Sequence, residues 1–111
     1  MNDAYISFLA SNGLSLEEIN PGTAEKAFNL RDCLQAIQIL GNAEVAILGG
    51  DILQKTNNHF IYSYENWFVE KEVSESESQF SKRSCSFALD YLSKLNERID
   101  YEMYVVLVIA R

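Results

Sequence analysis

The sequence predicts an α+β fold: a small mixed or antiparallel sheet of about four to five strands, packed by two main helices and a shorter amino-terminal helix. Three observations carry this expectation. Two segments, beginning near Asn29 and Ser76, repeat apolar residues at intervals of three and four, the period of a helix with one buried face. Between them, two short runs flank the polar turn Thr56-Asn57-Asn58, which is a hairpin signal. Last, Met103 to Ala110 is valine-rich and does not alternate, as expected of a central strand buried on both faces.

Taken in order, residues 3 to 12 read as a short helix, with Tyr5, Ile6, Leu9 and Ala10 at helical spacing and Gly13 placed to end it. Ser15 and Glu18 match a capping box for a single turn, which Pro21-Gly22 would break. Residues 24 to 28 suit either a short edge strand or a helix entry. Asn29 is a good N-cap, and Leu30, Cys33, Leu34, Ile37 and Leu40 mark one face of a helix that Gly41-Asn42 closes. Glu44 to Leu48 then reads as a strand arriving at a tight feature, Gly49-Gly50-Asp51, where glycine freedom and an Asp51 side chain bonded to nearby amides would set a turn.

Beyond that, residues 52 to 55 and 59 to 64 form the hairpin arms, with Phe60, Tyr62 and Tyr64 on one face and Ile61, Ser63 and Glu65 on the other. Asn66 permits a bend before a separate short strand at Trp67, Phe68 and Val69. The last helix opens with the Ser76 and Gln79 capping-box pair and presents Phe80, Phe87, Ala88, Tyr91, Leu92 and Leu95 before stopping near Asn96. With 111 residues and no linker, repeat or low-complexity stretch, one domain over 1–111 is expected.

Composition narrows the chemistry. The start of the chain lacks the basic, then apolar, pattern of a signal peptide, and the longest apolar run, Tyr104 to Ala110, is too short to span a bilayer, so a cytoplasmic protein without membrane contact is expected. Cys33 and Cys85 sit on helix faces and read as buried free thiols rather than a disulfide framework. His59 is the sole histidine, it lies in a polar turn, and no zinc-ligand spacing accompanies it. No nucleophile and base assemble, and the serines of SESESQFSKRSCS read as caps and surface positions. Neither a cofactor nor catalysis is expected.

The net charge of -7 disfavours nucleic acid and favours a basic partner. Much of it is local: Glu65, Glu70, Glu72, Glu75 and Glu77 face one base, Lys71. These acids read either as a solvated face and helix start, or as half of an electrostatically steered interface. The stretch Tyr62-Ser63-Tyr64-Glu65-Asn66-Trp67-Phe68 adds aromatics that suit both a core and an interface centre. Candidate partner-binding residues are therefore Asp51, Tyr64, Glu65, Trp67, Glu70, Glu72, Glu75 and Glu77, with Gly49, Gly50 and Asn66 as structural positions.

The order of these motifs resembles the immunity protein 40 family of bacterial polymorphic toxin and contact-dependent inhibition systems. Leu48-Gly49-Gly50-Asp51, then Tyr64-Glu65-Asn66-Trp67-Phe68, an acid- and serine-led helix, and the closing Tyr104 to Val108 strand carry the resemblance, over roughly residues 24 to 110. It implies a small α+β protein, encoded beside a secreted toxin, that binds the toxin's carboxy-terminal domain and occludes its active site to protect the producing cell. A basic nuclease would be the electrostatic complement. The family's recurring positions fall on Gly49, Gly50, Asp51, Tyr64, Asn66 and Trp67; Glu65 stands where the family has aspartate, and Phe68 meets its second aromatic. The chain is expected to be a monomer or weak homodimer. The alternatives are a small carboxylate-dependent enzyme and a homodimeric adaptor.

Overall fold

Each long helix starts at a side chain that satisfies its free backbone amides. Asn29 Oδ1 accepts from the Asp32 N–H at 2.8 Å, opening a helix over Leu30–Asn42. Ser76 Oγ accepts from Gln79 N–H at 3.1 Å while Gln79 Oε1 accepts from Ser76 N–H at 2.8 Å, a complete capping box ahead of the Glu77–Arg98 helix. The computed structural model describes residues 3–110. In chain order the elements are α1 (Asp3–Asn12), β1 (Leu14–Ser15), β2 (Lys26–Asn29), α2 (Leu30–Asn42), β3 (Ile47–Thr56), β4 (His59–Phe68), α3 (Glu77–Arg98) and β5 (Met103–Ile109).

The five strands form one antiparallel sheet in the order β1-β2-β5-β3-β4. β5, last in sequence, therefore enters between β2 and β3, and β4 is an edge. The hairpin turn is Asn57-Asn58, both with positive φ (51° and 67°), the backbone that two-residue hairpins require and asparagine tolerates.

One face of the sheet carries the main core. Phe28, Ile47, Ile52, Trp67, Met103 and Val105 meet Cys33, Ala36, Ile37 and Leu40 of α2 and Ala88, Leu92 and Leu95 of α3. α1 adds Tyr5, whose ring meets Phe28 edge-on at 6.3 Å. Burial pushes the Tyr5 hydroxyl up to about 12, with Cys33 beside it adding to the shift, and burial likewise pushes the Cys33 thiol up. Both cysteines are free and buried. The opposite face carries a second, smaller cluster of Leu16, Ala27, Leu53, Tyr104 and Val106, with Ile19 and Phe60 packed against it.

Several local expectations are corrected. Ser15 is both strand and cap: Leu14–Ser15 pairs with β2, and the next residue, Leu16, is drawn into the second cluster. Ser15 Oγ accepts from the Glu17 N–H at 3.2 Å ahead of a single turn in which the Asn20 N–H donates to the Leu16 carbonyl at 2.9 Å, while Glu18 meets His59 instead of completing a capping box. Residues 26–29 are a strand, with β1 outside it. Helix α2 does end within the expected Gly41-Asn42 pair, at Asn42, but the positive-φ residue that follows is Glu44 (φ 56°), with Ala43 as the C-cap, rather than Gly41. Leu34 and Phe87 are exposed, because the buried faces run one position to the side, through Cys33, Ala36, Ile37 and Leu40 on α2 and through Ser84, Cys85, Ala88 and Leu92 on α3. Ile6 on α1 is exposed as well. Ser81 and Ser84 are buried rather than at the surface: Ser84 Oγ accepts from the Ile47 N–H at 2.9 Å and donates to the Ser81 carbonyl at 3.0 Å. That bond serves an amide beside the irregularity where β3 slips against β5 between Ile47 and Gly49.

Candidate functional site

The Gly49-Gly50-Asp51 stretch makes no turn. It lies within β3, with Gly49 opposite Phe68, Gly50 opposite Trp67 and Asp51 opposite Asn66, and all three also pair with β5. The glycines answer to close packing instead. A Cβ on Gly49 would sit 2.3 Å from the Trp67 carbonyl oxygen, and one on Gly50 would sit 2.5 Å from the tip of the Trp67 ring and 2.8 Å from the Val106 carbonyl. Neither backbone oxygen has room to give way.

Strand β4 is likewise continuous through Asn66, so Trp67 and Phe68 are no separate strand. Its irregularity falls at Tyr64, which has φ 68° where the pairing slips between Asp51 and Leu53. Three side chains accommodate it. Ser63 Oγ donates to the Ile52 carbonyl at 3.0 Å and accepts from Glu65 N–H at 3.3 Å; Tyr91 donates to the Asn66 carbonyl at 3.1 Å; Arg98 binds Glu65 at 3.2 Å. The Tyr64 ring is left 91% exposed.

Beside these strands lies a groove of about 680 Å³ lined by Leu48, Gly49, Gly50, Asp51, Asn66, Trp67, Phe68, Val69, Glu70, Lys71, Phe80 and Val108. A smaller pocket next to it is lined by Asp51, Ile52, Tyr62, Tyr64, Glu65 and Asn66, so Asp51 and Asn66 are shared. Phe68 is 68% and Val108 42% exposed. Val108 belongs to the strand expected to be covered on both faces, and that expectation holds only from Met103 to Val106.

The candidate residues divide accordingly. Asp51, Trp67 and Glu70 line the groove, and Tyr64 and Glu65 line its neighbour. Glu72, Glu75 and Glu77 line neither. Glu75 is held inside the molecule: Arg83 donates to its two oxygens at 2.6 and 2.7 Å, and Glu72 N–H donates to it at 2.8 Å. The Arg83 hydrogen bonds come first in lowering the Glu75 carboxyl to about 2. Glu77 approaches Lys71 at 3.9 Å. Asp51, Glu70 and Glu72 have no ion-pair partner among the described residues. Trp67 is buried, stacked near Tyr91 with ring centroids 4.9 Å apart, so it supports the groove rather than presenting a face to solvent.

Sequence reasoning missed Val69 and Val108, and noticed Phe68 only as part of a motif. An uninterrupted apolar strand holds no sign of where cover stops, so Val108 had no signal of its own. Among the described residues no three of the histidine, cysteine, aspartate and glutamate side chains gather where they could hold a metal ion, and no helix is long and apolar enough to cross a membrane.

Comparison with known proteins bears on the motif order. No curated protein and no solved structure matches the chain. The family described as Immunity protein 40, however, matches residues 15–109, which takes in β2 to β5 with their pairings, Ser15 of β1 and the Leu16 segment. By that match over most of its length, the chain belongs to the immunity protein 40 family.

Proposed function

We propose that this protein is the cytoplasmic antidote to a cognate secreted toxin: it binds the toxin's carboxy-terminal domain and occludes its active site, sparing the cell that makes both. Family membership supports the class of function. The observation that carries the binding mode is the groove beside Gly49 and Phe68, where large apolar side chains stand in solvent next to Asp51 and Glu70, carboxylates without an ion-pair partner among the described residues. A folded surface of this composition suits a protein partner, with apolar contact at the centre and charge at the rim. The chain's charge of -7 makes a basic toxin, such as a nuclease, the natural complement, because steering by opposite charge speeds encounter.

The test is to co-express the chain with the carboxy-terminal domain encoded immediately upstream of it. Survival of cells that the toxin domain alone kills, together with co-purification of the two proteins, is the expected result. Killing that continues with no complex formed would end this reading and bring forward a catalytic or homodimeric role.

A further inference from the structure

We infer that the toxin docks on the uncovered end of the sheet, around Asp51, Phe68, Glu70 and Val108, and that this surface takes a cationic segment of the partner, a lysine or arginine flanked by an apolar side chain. The inference rests on the neutralising function proposed above and narrows it from the acidic segment 65–77 as a whole to a different, smaller surface.

The acidic segment is a weaker candidate than its composition implies. Glu75 is committed to Arg83 and Glu65 to Arg98, and Glu77 lies within 3.9 Å of Lys71. Charge already answered within the molecule attracts a partner weakly. Asp51 and Glu70 differ: both line the groove and neither has an ion-pair partner among the described residues. The groove's own cation, Lys71, is the one drawn toward Glu77. The excess charge that remains to be complemented there is negative.

The apolar part points the same way. Phe68 and Val108 flank the position where Gly49 has no side chain, since Gly49 pairs with both. A volume of about 680 Å³ is of the size that encloses a small ligand or a few side chains. Trp67, also lining it, has its Nε1 buried with no acceptor, although buried indole donors are ordinarily satisfied. A partner segment carrying backbone carbonyls, apolar side chains and a cation matches all of these features at once.

The experiment measures binding of the upstream-encoded toxin domain, at low and moderate salt, to the wild type, to Asp51→Lys with Glu70→Lys, to Val108→Arg, and to a control with Glu17→Lys and Glu97→Lys of equal charge change, each checked for an unchanged melting temperature. The expected result is binding weakened about 30-fold or more by the double reversal and by Val108→Arg, and by less than about threefold in the control. If the wild type binds and both groove variants bind equally well, the docking surface is overturned while neutralisation stands. If the wild type does not bind, the neutralising reading itself falls. Sedimentation of the chain alone supplies the remaining arm: a dimer that Val108→Arg dissociates would overturn the cationic occupant in favour of a second copy.

Discussion

The face of the sheet turned away from the helices has two ends, and the chain treats them differently. At the hairpin-tip end, Leu53, Phe60, Tyr104 and Val106 are packed by Leu16 and Ile19 from the segment between β1 and β2. Glu18 and His59 meet there at 2.6 Å, tying that segment to the hairpin. At the other end, Phe68 and Val108 stand exposed beside Asp51 and Glu70. The same strands thus run from an internal core into a bare apolar surface. Cover is set by reach: the segment is fixed to β2 by the Leu14 to Ala27 pairing, and Leu16, two residues on, turns down onto the tip end. Burial at one end serves stability; exposure at the other is available for a partner.

That contrast is most directly broken by Leu16→Ala. Leu16 is fully buried, so the truncation is expected to cost about 3 kcal/mol in chemical denaturation, while toxin affinity of the folded fraction is unchanged. Loss of affinity with stability intact would show that the covered end is itself the docking surface. Gly49→Ala should cost about 2 kcal/mol, because its Cβ would meet the Trp67 carbonyl oxygen at 2.3 Å and the strands must part. An unchanged unfolding midpoint would mean that this end of the sheet is loose.

A smaller effect, present at neutral pH and vanishing in acid, is expected of Glu75→Gln. The folded-state carboxyl is held at about 2, below its ordinary value of 4.5, so it stabilises the fold above about 4.5 and that contribution is lost as pH falls from there through about 2. The variant should lack this part of the acid sensitivity while remaining comparable to wild type in partner binding; parallel stability profiles across that window would refute the Arg83 account. The smallest effect on stability belongs to Phe68→Ser, within about 0.5 kcal/mol by urea titration, together with a large loss of toxin binding. Should Phe68→Ser destabilise as much as Leu16→Ala, the two ends would be alike after all.

Much of the architecture is legible in the residues. Asn29 and Ser76 with Gln79 announce their helices because capping is a local hydrogen-bond requirement that a few neighbouring side chains meet. The Asn57-Asn58 hairpin is local in the same sense. The site is less legible. Glu75 reads as part of an exposed acidic run, yet Arg83, eight residues on, closes over it. Gly49 and Gly50 read as a turn, since glycine is ambiguous between conformational freedom and close approach; the Trp67 backbone and ring, contributed by another strand, decide the matter.

By itself, then, the sequence determined the α+β class, both long helices and their starts, the hairpin, the apolar final strand, the acidic balance and the motif order that marks the family. These follow from periodicity, caps and turns, which act over a few residues. Only the tertiary structure decided that β5 inserts between β2 and β3, that Glu65 and Glu75 are answered by Arg98 and Arg83, and that Val108 is left bare where Val106 is covered. Those outcomes depend on which distant segments meet across the sheet, and a side chain carries no local record of its distant neighbours.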